Sequence, residues 1–560
     1  MPTASWIHAA VDCAFLTVMI AISLALYIRG LGFYYDDYSV LSRMTSSDDQ
    51  SLLGVYHAVR PATGQRPLQA LTFATLYRVF GTDALGYHVA NAFLLVGVAA
   101  LLYLILRELR LPRVVCVAVP LVYSTFPHYA TDRFWLDAFQ INVSVACYLI
   151  SLFAGLRAVR SSAPVAAIWV AVAAVGIVGS LLAYEVIFPL FALNFGLIWW
   201  AADRRAGRDL NRGVVWVVLG GLLAVMLAVG VTKTLIVAEE GQNSYRIGFQ
   251  DGLLHHFAYL VSGAIKLNFG TYLVALPYVL WWIVRHQFSA ANAVIAVLSG
   301  GLSFFYVAYL GRRERLVAGR NMWRALVAVG LVAFVLGYAI FLTNQYVLFR
   351  SAGIDNRVNS GAALGLAGMF VGLLGWLTTR LGREKQVAVF AATVGCTVAA
   401  GVFVVDTLGS SWTRAAREQE AIVTGIVRAS AATPSWRTLI LDGVCTEQGP
   451  AVVFADQWDL TGALRVRYPG LPLKADVAAE AMRATRRGLA VDQAMIDRVT
   501  TLTYPYGHAL VVYDFAQQRL YRVPDQRRAV TYLRLRASPH CPPQRSFAWG
   551  FDPLDRWSLL

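Results

Sequence analysis

Charge is what this 560-residue chain has least of. Asp, Glu, Lys and Arg together make up 14% of it, where a soluble protein carries about 25%. Residues that are hydrophobic supply 58%, and the mean hydropathy is +0.55. That balance excludes a soluble globular protein and points to a polytopic membrane protein. Cysteine is scarce too: there are six, with no CxxC pair, so a zinc ribbon or a thioredoxin-like site has no support. No Lys or Arg precedes the first apolar segment and no clear small-x-small cleavage site follows it, so an uncleaved membrane helix is expected rather than a signal peptide. The formal charge of +15 does not imply nucleic acid. The basic residues cluster in short loops between apolar segments, as the positive-inside rule produces, and no basic-aromatic nucleic-acid module occurs.

What is present is a series of apolar runs, at roughly 9–28, 86–106, 114–126, 139–156, 164–184, 186–201, 213–236, 252–267, 270–285, 289–310, 325–343, 360–379 and 387–408. They predict about 13 transmembrane helices. Arginine clusters (Arg107 to Arg113, Arg157 and Arg160, Arg204 to Arg212, Arg312 to Arg315, Arg380 to Lys385) mark the cytoplasmic loops. Parity then puts the N-terminus inside and the C-terminus outside, provided that 252–267 and 270–285 are two spans. The domain reading is a membrane domain over 1–409, whose first external loop is about 30–86, and an extracytoplasmic domain over 410–560.

The external side collects the polar residues. Gly32-Phe33-Tyr34-Tyr35-Asp36-Asp37-Tyr38 lies just past the first span, two carboxylates wrapped in tyrosines suited to the headgroup layer. Arg66-Pro67-Leu68 follows in the same loop, where Leu52 to Tyr56 and Ala70 to Tyr77 read as interfacial helices. The second external loop adds His128, Asp132, Arg133 and Asp137. On a helix His128 and Asp132 would share a face at i,i+4, a spacing that could hold a divalent ion or a sugar hydroxyl. Glu185, beside Tyr184, needs a partner that Arg66 or Arg133 could supply. Asp355-Asn356-Arg357 offers a further cation.

Beyond Leu408 the composition changes. Ser410 to Thr433 reads as an amphipathic continuation of the last span. Thr438 to Leu441, Ala451 to Phe454, Ala509 to Tyr513 and Thr531 to Leu535 read as strands, and Ala475 to Thr500 as a helix. This is a small mixed α/β domain with no GxGxxG, P-loop, HExxH or GxSxG motif. Four cysteines lie in apolar segments. Cys445 and Cys541 do not, and outside the cytoplasm they would form a disulfide closing a long loop.

Tyr35-Asp36-Asp37-Tyr38, Arg66-Pro67-Leu68, Leu71-Thr72-Phe73, Phe80-Gly81, Gly86-Tyr87-His88 and Asn91, in that order, resemble the opening of the polytopic GT-C glycosyltransferases. The likeness is nearest to the protein O-mannosyltransferase branch and its bacterial relatives that use polyprenyl-phosphate sugars. It continues more weakly through Phe126-Pro127-His128, Asp132 and Tyr184-Glu185, and does not extend to the C-terminal domain. The resemblance implies a GT-C-like fold and transfer of a hexosyl or pentosyl group from a polyprenyl-phosphate donor. The acceptor would be a hydroxyl or amine on protein, glycolipid or polysaccharide at the outer face of a bacterial inner membrane, and the reaction an inverting single displacement.

Carried over residue by residue, Asp36 is the base and Asp37 its acidic neighbour, one methylene shorter than the Glu common in relatives. Arg66 faces the donor phosphate, with Asp132, Arg133, Glu185 and Arg357 as further donor or substrate contacts. His128 is the candidate ligand of a divalent metal, although the order of residues around it departs from the family's commoner His-Pro. The competing readings are a transporter or flippase of a lipid-linked saccharide and a non-catalytic membrane protein that binds an envelope polymer.

Overall fold

The computed structural model describes residues 3–203, 212–239, 252–314, 319–343, 347–430, 434–478, 481–495 and 498–536. The first apolar run forms α1 (Thr3–Leu24), and the first external loop folds into α2 (Asp36–Thr45), α3 (Leu52–Thr63) and α4 (Pro67–Phe80). The bundle continues with α5 (Ala84–Glu108), α6 (Arg113–Thr125), α7 (Phe139–Ala158), α8 (Ala163–Ala183), α9 (Phe191–Asp203) and α10 (Arg212–Glu239). It closes with α11 (Leu253–Ile265), α12 (Leu276–His286), α13 (Ala290–Arg313), α14 (Arg320–Ala339), α15 (Ser360–Thr378) and α16 (Arg383–Ala429). Among the described residues ten helices are long and apolar enough to cross a membrane, or up to twelve if each of two bent pairs is one span. The chain is an α-helical polytopic membrane protein with a strand-containing C-terminal region.

The expected thirteen spans fail at 252–285. There α11 runs on as a π-helical turn, Lys266–Val274, and meets α12 at a 60° bend. His256 Nε2 lies 2.8 Å from the Phe341 carbonyl, Tyr259 Oη donates to Val347 O at 2.7 Å, and Tyr272 Oη donates to Ser351 O at 2.7 Å. Leu276 and Val279 sit against Val404 and Leu408. Every one of these partners belongs to the same end of the bundle, so the segment lies along that end instead of crossing twice. Its outward face, with Leu254, Phe257, Ile265, Val274 and Trp281 exposed, is apolar enough to meet lipid. The reason is the stripe of inward residues His256, Leu260, Ala264, Leu267 and Val279, which repeats at helical spacing and gives the segment one packed face only.

Two helices of the bundle approach closely because their contact lacks side chains. A Cβ on Gly337 would sit 2.5 Å from the backbone of Gly361, so α14 and α15 pack backbone to backbone.

Unbroken over 47 residues, α16 is about 70 Å long at 1.5 Å per residue. Its outer half carries the C-terminal region, whose elements are β1 (Thr438–Asp442), β2 (Glu447–Gln448), β3 (Ala451–Val452), α17 (Gln457–Arg467), β4 (Lys474–Val477), β5 (Met482–Ala484), β6 (Leu489–Met495), β7 (Arg498–Tyr504), β8 (Leu510–Asp514), β9 (Arg519–Arg522) and α18 (Gln526–Leu535). One sheet has the order β4-β1-β8-β9, with β1 parallel to both neighbours and β9 antiparallel to β8. Leu439 pairs with Ala475 on one side and Val511 on the other. A three-stranded antiparallel sheet, β5-β6-β7, stands apart.

The helix expected over Ala475 to Thr500 is thus four strands, and the strand expected over Thr531 to Leu535 is the end of α18. In the first case the alanines suggest helix, but Ala475 and Val477 fill a buried parallel edge and Arg486-Arg487-Gly488 precedes a hairpin strand. In the second, Asp525 caps the helix by accepting from Arg528 N at 2.8 Å, while Ala529 and Tyr532 alone face the core. Cys445 is disulfide-bonded, the four cysteines of the apolar segments are free, and Cys541 lies outside the described residues.

Candidate active site

The site is held by contacts between the external loops. Tyr87 Oη donates to Gly81 O at 2.8 Å and His88 Nε2 meets Gly32 O at 2.9 Å, which fixes the first loop onto α5. Asn91 Nδ2 donates to Asp132 O at 2.8 Å and adds the second loop. The Gly86-Tyr87-His88…Asn91 stretch is therefore scaffold. Arg66 is the N-cap of α4, with Pro67 supplying the fixed φ of its first position.

Asp36 and Asp37 open α2 behind Tyr35, which sits at φ 49°, an unfavourable backbone for a tyrosine. The two carboxylates have different work. Asp37 is buried, its Oδ2 accepting from Tyr34 N at 2.9 Å and Leu136 N at 3.4 Å, its Oδ1 from Asp137 N at 2.8 Å. It ties the first external loop to the second with every lone pair engaged inward, so it is a positioning residue. Asp36 is half-buried. The nearest donor is the Trp458 indole N–H, which stands outside ordinary hydrogen-bond geometry. Burial, and after it the negative charge of Asp137, raise the Asp36 carboxyl to about 7, against the pull of Arg357. Burial also pushes Asp37 well above the usual carboxylate range, opposed by its backbone donors.

Cations gather around this carboxylate. Arg66 forks onto Glu185, with Nη2 2.8 Å from Oε1 and Nε 3.2 Å from Oε2, and its guanidinium lies 4.0 Å from the centre of the Tyr184 ring. Lys233 of α10 reaches the same carboxylate at 3.1 Å and the Leu181 carbonyl at 2.8 Å. Arg357 stacks over Trp135 at 4.9 Å, and its charge acts on Asp36 and Asp137. Burial works against the charge on Arg66, and Glu185 overrides it, holding the guanidinium above its ordinary range.

Asp36, Asp37, Arg66, Glu185 and Arg357 thus come together. Three sequence candidates do not join them. Arg133 is buried among the helices, bonded to the Ser124 carbonyl, 3.4 Å from Ser23 Oγ, and near Tyr27 and Asp406. Asp132 accepts from Ser360 Oγ at 2.5 Å. His128 is enclosed by the rings of Phe126, Tyr129 and Tyr272. Pro127 to Arg133 is a 3-10 segment broken at Tyr129, so His128 and Asp132 do not share a helical face. Among the described residues no three His, Cys, Asp or Glu side chains are grouped to hold a metal ion, and the aromatic surroundings of His128 do not fit one.

Sequence reasoning missed Lys233, although a lone lysine in an apolar helix is itself a signal. It also missed the C-terminal wall of the site. Tyr35 Oη donates to Asp456 Oδ2 at 2.8 Å, and the Tyr35 ring meets Trp458 edge-on at 5.3 Å. The loop carrying both is fixed by a capping box between Asp456 and Asp459. Gly462 lets α17 rest on α2, because a Cβ there would come within 2.5 Å of the Tyr38 backbone. No feature of the first 409 residues could have signalled these contacts.

The fold and site define a class: a polytopic membrane protein whose half-buried carboxylate lies among fixed guanidinium groups at one end of the bundle. No protein-family model and no curated protein matches the chain. Among solved structures it is similar to the Archaeoglobus fulgidus oligosaccharyltransferase tethered to an acceptor peptide, at 11% identity and a TM-score of 0.41 over 85% of this chain. The chain spans 64% of that protein's length. It is also similar to ArnT from Cupriavidus metallidurans bound to undecaprenyl phosphate, at 12% identity and a TM-score of 0.36, covering 82% of this chain and 85% of that one. The apo form of the same protein gives 12% and 0.35, over 86% and 87%. The chemistry of the site rests on its own side chains.

Proposed function

We propose that the protein is a GT-C-type glycosyltransferase that moves a sugar from a polyprenyl-phosphate donor to an acceptor hydroxyl or amine. The observation that carries the reading is Asp36: a half-buried carboxylate raised to about 7, without an ordinary hydrogen bond to a described neighbour, beside Arg357. Such a group is poised to take a proton near neutral pH. In the reaction the acceptor oxygen or nitrogen attacks the anomeric carbon and passes its proton to Asp36. The bond from that carbon to the phosphate oxygen breaks, its electron pair stays on the phosphate, and the configuration inverts.

Arg66 and Arg357 would neutralise the charge that grows on the departing phosphate, a task that suits the guanidinium fork. Glu185 and Tyr184 keep Arg66 in place, and Lys233 keeps Glu185 charged; these are positioning residues. The order of Tyr35-Asp36-Asp37-Tyr38, Arg66-Pro67-Leu68 and Gly86-Tyr87-His88 supports the same family. An acceptor would enter beside Tyr35 and Trp458. The site would face the extracytoplasmic side of a bacterial inner membrane, which the arginines of the opposite loops favour.

The test uses the protein in lipid with radiolabelled polyprenyl-phosphate sugars and an envelope acceptor extract. Transfer by the wild type, lost in Asp36→Asn while donor binding persists, is expected. Full transfer by Asp36→Asn would sink the site. Donor movement across sealed vesicles, unchanged by Asp36→Asn and with no transfer, would mark a transporter instead.

A further inference from the structure

The end of the bundle remote from Asp36 holds a groove of about 600 Å³ among the last turn of α5, the second half of α9 and the start of α14. Its walls include Leu111, Leu197, Trp200 and Val329, and Arg110 and Arg160 stand at its rim. Arg160 pairs with Glu108, which also holds Arg157 at 3.0 Å. Arg110 is exposed, at φ 61°, with no acidic partner among the described residues. Arg107, Arg110, Arg157 and Arg160 surround the one acid, Glu108, so the rim is positive. Gly196 forms part of the wall, and a Cβ there would meet nothing within 4 Å.

We propose that this groove binds an anionic phospholipid, its phosphate between Arg110 and Arg160 and one acyl chain along Leu197, Trp200 and Val329. The volume is that of a ligand pocket. Apolar walls under a positive rim match a molecule that is apolar over most of its length and negative at one end. A zwitterionic lipid answers the walls but not the rim. A polyprenyl phosphate engaged near Asp36 has its own charge at the other end of the bundle. The proposal is independent of the glycosyl-transfer reading.

The experiment places the full chain in phosphatidylcholine nanodiscs with a trace of photoactivatable phosphatidylglycerol or, separately, photoactivatable phosphatidylcholine. Cross-linked peptides are then mapped. The phosphatidylglycerol probe is expected to label 193–201 and 321–329 at least about fivefold more than the phosphatidylcholine probe, as one arginine near a headgroup supplies. Unlabelled phosphatidylglycerol should compete. Arg110→Asn should cut the labelling about fivefold without strain, since asparagine accepts a positive φ. Gly196→Phe should abolish it by filling the open wall. If that variant misfolds, Arg110→Asn alone decides. Equal labelling by both probes, labelling untouched by Arg110→Asn, or competition by polyprenyl phosphate and not by phosphatidylglycerol would each overturn the proposal.

Discussion

Two clusters in this molecule use the same ingredients, a carboxylate, a guanidinium and tyrosines, and arrange them to opposite ends. Deep in the bundle Asp12 is fully buried and fully answered. Arg113 forks onto it at 2.5 and 2.7 Å, Tyr103 Oη donates to it at 2.6 Å, and Tyr306 Oη fills the remaining side. That set pins α1, α5, α6 and α13 together. At the other end Asp36 has one imperfect donor, and its cations are held by other groups, Arg66 by Glu185 and Arg357 by Trp135. A satisfied buried charge makes a joint. An unsatisfied one, supported from a distance, is left free to act on something else.

Mutation separates the two most sharply. Asp36→Asn is expected to lower transfer by about 10² to 10⁴-fold, the usual contribution of a general base, with the thermal midpoint unchanged or slightly higher. Asp12→Ala should do the reverse, destabilising the protein by about 3–5 kcal/mol because Arg113 is left buried and unpaired. A loss of fold in Asp36→Asn, or an unaltered midpoint in Asp12→Ala, would break the contrast.

The pH profile sharpens it. A base at about 7 should make transfer rise tenfold per unit below pH 7 and level off above it. The stability term has the opposite sign. Since the folded carboxyl lies above its ordinary value, the stability present below about pH 4 is lost as pH rises through about 7. Kinetics of transfer and thermal unfolding across pH 5–9 in the same buffer read both. The smallest effect belongs to Gly462→Ala, which inserts a methyl against the Tyr38 backbone. It should cost about 1–3 kcal/mol and raise KM for the acceptor more than it lowers kcat.

What was legible in the sequence follows the same division. Apolar runs and arginine loops announce the bundle because lipid leaves a chain few alternatives. Tyr35 to Tyr38 and Arg66-Pro67 were visible as a cluster because charge at an interface is costly. Which member acts was not visible: Asp36 and Asp37 differ only in what the second loop donates to them, a contact about a hundred residues away. Likewise Arg133 and Arg357 look alike in sequence, yet one turns into the helices and the other toward Asp36. The C-terminal region misled twice, at 475–500 and 531–535, since alanine content and β-branching speak weakly against a buried sheet edge and a capped amphipathic turn.

The unbroken α16 gives the molecule a phase as well as a length. A helix turns 100° with each residue, so the angle at which the strand-rich region meets the first external loop is set by a count of residues along one rod. One residue added between Leu408 and Gln419 would swing Asp456 and Trp458 away from Tyr35 without touching any of the three. Four added residues would nearly restore the heading and lift the same wall by about 6 Å. The catalytic end is in this sense tuned like a key cut to a fixed depth, and its setting is written in a helix that never enters the site.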